Sequence, residues 1–153
     1  MPEIVFPVKL SKKFYREARK AFPDEEYAIL LGKKTREGFR IDYLYFPTER
    51  LNDRSPDFVN VDQNWFETAQ EMANTLNLEV LGDIHSHCYA ADEDGFGAGT
   101  DPSEADWEWA EAMKTISGGK YRLLGIVRVL KKGNKLSCRT RFWPAVDLPT
   151  IVK

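Results

Sequence analysis

The chain's only two histidines stand in one tripeptide, His85-Ser86-His87. Side chains alternate along a β-strand, so residues two apart share a face, and both imidazoles can converge on one point while Ser86 faces away. That is ligand geometry for zinc, which in hydrolytic sites takes three protein ligands and keeps one position open. Asp106 supplies the third donor. It follows Ser103 by three residues, a spacing that in a helix puts hydroxyl and carboxylate on one face.

Two elements must bring these groups together. Leu78 to Ile84 is apolar enough for a buried strand ending at the histidines, with Gly82 marking a bulge or a close backbone approach. Asp101, Pro102 and Glu104 provide an N-cap, a proline at the first helical position and a glutamate three residues after the cap, predicting a helix to about Ile116. Ala105, Trp109, Ala112, Met113 and Ile116 form its expected core stripe. Between strand and helix, Cys88 to Asp101 holds Gly95, Gly97, Gly99 and four acids without one lysine or arginine, and reads as an exposed loop.

The remaining punctuation completes the domain. Ser11 is expected to cap a helix with apolar Phe14, Ala18 and Phe22, ended by Pro23. Tyr27 to Leu31 and Phe39 to Phe46 read as a hairpin around a Lys33 to Gly38 turn. After a turn-rich stretch over 47–56, Asp62 is placed to cap a helix through Trp65, Ala69, Met72 and Leu76 to about Asn77. Tyr121 to Leu130 and Leu136 to Trp143 make a second hairpin around Gly133-Asn134. The order αββαβαββ predicts an α+β, three-layer domain with helices on a mixed, mostly antiparallel sheet.

Composition bounds the function. At 153 residues the whole chain, 1–153, fits one domain with one core. A formal net charge of −2 and a pI near 5.8 give no global positive field for phosphate backbones, so nucleic acid is not an expected partner. The longest apolar run, Tyr27 to Leu31, falls far short of the roughly 18 residues of a membrane span, and Glu3, Lys9, Lys12 and Lys13 break any signal-peptide pattern. Cys88 and Cys138 cannot build a disulfide framework and fit a reducing compartment, so a soluble cytoplasmic protein is expected.

Taken together, the residues resemble the JAMM, or MPN-plus, zinc metalloproteases in their prokaryotic single-domain form. That family's signature is an early Glu, then H-[ST]-H, then S-x-x-D. The matches are Glu25, His85-Ser86-His87 and Ser103-Glu104-Ala105-Asp106. Pro23 to Gly32 also looks like the family's P-x-E before an apolar strand ending in Gly, and aligning Gly32 selects Glu25 over Glu26. Cys88 stands where the family usually has Pro, and fifteen residues separate His87 from Ser103, a longer connection than usual.

The resemblance implies one zinc per chain, held by His85, His87 and Asp106, and peptide or isopeptide hydrolysis. Bottom-up chemistry agrees: zinc lowers the pKa of its water toward roughly 7, and a nearby carboxylate, Glu25, can take that proton and hand it to the leaving amine. Ser103 would donate to the oxyanion that forms as the carbonyl is attacked. The substrate implied is a conjugate of ubiquitin or a ubiquitin-like protein. A non-catalytic MPN scaffold and a zinc hydrolase acting on a sulfur-carrier protein's adduct are the alternatives.

Several residues carry a plainer reading beside the chemical one. Glu26 is the neighbouring alternative to Glu25. Cys88 can be read as a fourth ligand, although adjacent strand residues point to opposite faces and favour an ordinary thiol. Trp107, four residues after Ser103, either borders a substrate groove or is a half-buried core residue. The 88–101 loop, with Asp92, Glu93 and Asp94, is either a substrate-selecting lid or a solvated connection, and matches a calcium loop poorly.

Overall fold

A six-stranded sheet whose central strands are buried on both faces organises the computed structural model, which describes residues 2–47, 65–90 and 100–145. In chain order the elements are β1 (Glu3–Val5), α1 (Val8–Ala21), β2 (Tyr27–Lys34), β3 (Gly38–Tyr45), α2 (Trp65–Leu76), β4 (Glu79–Ala90), α3 (Glu104–Ile116), β5 (Leu123–Lys132) and β6 (Lys135–Pro144). The sheet order is β1-β3-β2-β4-β5-β6. Pairs β2–β3, β2–β4 and β5–β6 are antiparallel, while β1–β3 and β4–β5 are parallel. The expected α+β class and mixed, mostly antiparallel sheet are therefore the observed ones.

Each face of the sheet has its own core. Tyr27, Ile29, Leu31, Val80, Leu124 and Ile126 pack with Ala69 and Ala73 of α2 and Ala110 and Met113 of α3. Ala28, Leu30, Ile84, Val127 and Val129 face the other way, onto Phe14 and Ala18 of α1. The alternation within β2 and within β5 thus divides the side chains between two helical layers.

β4 needs a bulge to do the same. Leu30 pairs with Gly82 but Leu31 pairs with Val80, so Leu81 is the extra residue. Val80 lies in the α2–α3 core and Leu81 and Ile84 in the α1 core. The inserted residue reverses the phase of the strand, as a one-residue slip must, and turns Asp83, His85 and His87 toward α3. Gly82 sits at this point because a Cβ there would lie 1.8 Å from the Leu123 carbonyl oxygen. The glycine signal in the sequence is explained by both of its expected causes.

Several boundaries differ from expectation. β1 has no counterpart in the predicted order, because three residues carry no readable periodicity and are a strand only through pairing with β3. Ser11 is not the cap of the first helix. That helix begins at Val8 behind Pro7, and the Ser11 hydroxyl donates to the Val8 carbonyl at 3.0 Å. β4 does not stop at the histidines but runs to Ala90, since β5 pairs with it from Gly82 to Ala90 and keeps Cys88 out of the expected loop.

The third helix is capped by Ser103 rather than Asp101. Its inward face carries Asp106, Trp109, Ala110 and Met113, while Ala105, Ala112 and Ile116 of the predicted stripe are exposed. The inward face is thus shifted from the predicted stripe and includes the polar Asp106. The Asp62 cap and most of the 47–56 turn region lie outside the described residues.

Candidate metal centre

The two elements that form the site meet where β4 leaves its antiparallel neighbour. Tyr27 pairs with His85, and beyond it the Glu26 amide donates to the Ser86 hydroxyl at 2.7 Å while the Ser86 amide donates to the Glu26 carbonyl at 3.0 Å. Ser86 therefore faces away from the imidazoles, as alternation requires. Glu26 shares that side of the ladder, and its Oε1 accepts from the Tyr27 amide at 2.9 Å. Glu25 precedes this junction and is buried close enough to His85 for its charge to act on that imidazole.

Both imidazoles are buried and turned to α3. His85 Nε2 lies 3.1 Å from His87 Nε2 and 2.8 Å from Asp106 Oδ1, and His87 Nε2 lies 3.1 Å from Asp106 Oδ2. Among the described residues no other trio of His, Cys, Asp or Glu converges in this way. Two ligands at about 2.0–2.1 Å on a tetrahedral zinc stand about 3.3 Å apart, so outward shifts of a few tenths of an ångström from these contacts would admit the metal. Two imidazole nitrogens and one carboxylate are also the donor types zinc takes, so the residues fit the metal.

The start of α3 fixes the carboxylate. Ser103 Oγ accepts from the Asp106 amide at 3.1 Å, and the Ser103 amide donates to Asp106 Oδ2 at 2.8 Å, a reciprocal capping box. Asp106 thus caps its own helix while reaching the histidines. The Ser103 oxygen accepts in this box, so its own hydrogen is not consumed by the cap.

Electrostatics couple the group. Burial works to lower the His85 pKa, but the Asp106 hydrogen bond and charge, then Glu25 and Asp83, outweigh it and push it up to about 9. Burial opposes ionisation of Asp106, yet the hydrogen bonds and charges of His85 and His87 hold it well below the usual carboxylate range. Glu25 is buried and acts on His85 as a nearby negative charge. Glu26 is equally buried but spends its carboxylate on the backbone of β2.

Cys88 lies on the opposite face, against the α1 core, with its thiol donating to the Asp24 carbonyl at 3.4 Å. Burial, then the Glu25 charge, pushes that thiol up to about 12. The reading of Cys88 as a ligand therefore fails on direction. Trp107 is half-buried and packs edge to face on Trp143 of β6, with ring centroids 6.3 Å apart. Asp92, Glu93 and Asp94 lie outside the described residues. Beyond them the Thr100 carbonyl accepts from Trp143 Nε1 at 3.0 Å and Asp101 meets Arg141 at 3.4 Å.

Sequence reasoning missed Asp83. It is fully buried, and its carboxylate accepts from the Tyr121 hydroxyl at 2.6 Å, Trp109 Nε1 at 2.6 Å and the Tyr27 hydroxyl at 2.9 Å. Burial raises its pKa against those hydrogen bonds. The available signal was an acid inside an apolar strand, two residues before the first histidine.

Comparison with known proteins follows the same lines. The family of prokaryotic homologs of the JAB domain matches residues 7–117. No curated protein matches the chain. The solution structure of protein DSY2949 from Desulfitobacterium hafniense is similar with a TM-score of 0.59 at 20% sequence identity, covering 92% of this chain and 84% of that one. At that identity the likeness concerns the fold. Among the described residues no helix is long and apolar enough to cross a membrane.

Proposed function

The chain belongs to the prokaryotic homologs of the JAB domain, and from that premise we propose that it is a zinc-dependent hydrolase that cleaves the peptide or isopeptide bond at the C-terminus of a ubiquitin-like modifier. The observation that carries the reading is the closure of His85, His87 and Asp106 on one point, with contacts of 2.8 to 3.1 Å. His85, His87 and Asp106 would hold one zinc. When bound, zinc supplies Lewis acidity that makes water a nucleophile near neutral pH.

The chain's own groups do the rest. Glu25, buried beside His85, accepts the proton released at attack and returns it to the leaving amine. Ser103, at the first turn of α3, keeps its hydroxyl hydrogen for the oxygen that gains negative charge. Trp107, braced on Trp143 beside that turn, lines the approach for an extended modifier tail.

Zinc content by elemental analysis and cleavage of a panel of modifier conjugates, followed by mass, test the proposal. One zinc per chain with release of an intact modifier is the expected result. A zinc-loaded chain that leaves every conjugate and short peptide uncut makes this a binding module, and one that cuts only a sulfur-carrier adduct changes the substrate but keeps the chemistry.

A further inference from the structure

Asp83 and Trp109 tie together the same two elements that carry the metal ligands. On β4, Asp83 precedes His85 by two residues on one face. On α3, Trp109 follows Asp106 by three residues, less than one turn. The Asp83–Trp109 hydrogen bond of 2.6 Å therefore runs alongside the His85–Asp106 contact of 2.8 Å. Two parallel connections between a strand and a helix fix both the height of the helix and its rotation, which one connection cannot do.

Apolar packing alone rests that rotation on few side chains, the largest of them Trp109 itself, which packs against the α2–α3 core and edge to face on Tyr27 with ring centroids 6.2 Å apart. Only Ala110 and Met113 of α3 are buried hydrophobic residues, while Ala105, Ala112 and Ile116 are exposed. Turning the helix would draw Trp109 out of that packing, and its ring nitrogen is the point at which Asp83 holds it. Asp83 is 0% exposed, and a carboxylate is expensive to bury. It is held by three donors from three places: Tyr27 on β2, Trp109 on α3 and Tyr121 just before β5.

We propose that Asp83 is a positioning residue of the metal centre: acting through Trp109, it sets the rotation of α3 that closes Asp106 on His85 and His87. The proposal rests on reading that trio as a zinc site. The cage around Asp83 orients a ligand-bearing helix rather than a single imidazole, and such supporting groups typically change metal affinity about 10–100-fold when removed.

The network offers an internal control. Tyr27 and Trp109 donate to the same oxygen, Asp83 Oδ2, but only Trp109 belongs to α3. Zinc affinity by chelator competition, the visible spectrum of the cobalt-loaded protein and denaturant stability of the metal-free protein would be measured for the parent, Trp109→Phe, Tyr27→Phe, Asp83→Leu and Asp83→Asn. Trp109→Phe is expected to weaken zinc binding at least about tenfold and to alter the cobalt spectrum. Tyr27→Phe should lower stability yet keep zinc affinity within about threefold, because its lost bond does not reach the helix. Asp83→Asn should rescue what Asp83→Leu loses, since an amide oxygen still accepts from Trp109 while its NH₂ faces the Tyr121 hydroxyl.

If Trp109→Phe and Tyr27→Phe lower zinc affinity equally, or if neither lowers it, Asp83 is only part of the core and the proposal is overturned. Equal loss in Asp83→Asn and Asp83→Leu overturns it as well, because charge and not geometry would then be responsible. Should the parent itself bind no zinc, the metal reading fails and takes this inference with it. A parent that binds zinc beside an unaffected Trp109→Phe refutes the inference alone.

Discussion

The two faces of β4 both carry polar or ionisable groups, but their chemistry differs. Toward α3 stand Asp83, His85 and His87, each contacting a side chain brought by that helix. Toward α1 stand Ile84, Ser86 and Cys88, and there Ser86 accepts from a backbone amide and Cys88 donates to a backbone carbonyl. The contrast teaches that ionisable groups become a site only where a second element delivers complementary charge. The buried imidazole beside Asp106 is pushed up to about 9, and the half-buried thiol without such a charge is pushed up to about 12 and stays protonated.

The largest effect that would break this contrast is loss of its delivered charge. Asp106→Ala is expected to weaken zinc binding more than about hundredfold, because it removes a ligand together with half of the capping box. Chelator competition measures it, and unchanged affinity would mean the α3 face is no site at all. Next comes Glu25→Gln, expected to keep zinc and fold but lower conjugate cleavage about 10²–10⁴-fold, since the amide has the carboxylate's shape and no basic oxygen. Glu26→Gln, on the opposite side of the ladder, should retain most activity, and a reversed ranking in one cleavage assay would move the base to Glu26.

A third prediction concerns pH. The folded His85 pKa of about 9 lies above its ordinary value of 6.5. In the metal-free protein the stability that this interaction contributes is fully present below 6.5 and is lost as pH rises through about 9. Zinc must displace the same proton, so its apparent affinity should rise up to about tenfold per pH unit toward pH 9 and then level. Calorimetry in buffers of different ionisation enthalpy would show the released proton, and zinc uptake without proton release at pH 7.5 would contradict the assignment.

The smallest effect belongs to the α1 face. Cys88→Ser should leave zinc affinity within about twofold, because the thiol points away from the histidines. In the intact protein, a thiol pushed up to about 12 should react with iodoacetamide at pH 8 far more slowly than free cysteine. Rapid alkylation coupled to loss of zinc would show that the two faces communicate.

What the sequence by itself determined is the candidate ligand set and its local geometry. His85 and His87 share a strand face, and Ser103 and Asp106 share a helix turn, because spacings of two and three residues are settled by the backbone's own periodicity. The two hairpins and the central strand were legible for the same reason. Other features depend on residues far apart in the chain: the Leu81 bulge that turns the histidines toward α3 and the strand β1 that exists only against β3. The Asp83 cage draws donors from residues 27, 109 and 121, and although an acid inside an apolar strand marks the position, no local pattern names those partners. Local rules place a side chain on a face, but only pairing and packing between distant segments decide which way that face looks and what it meets.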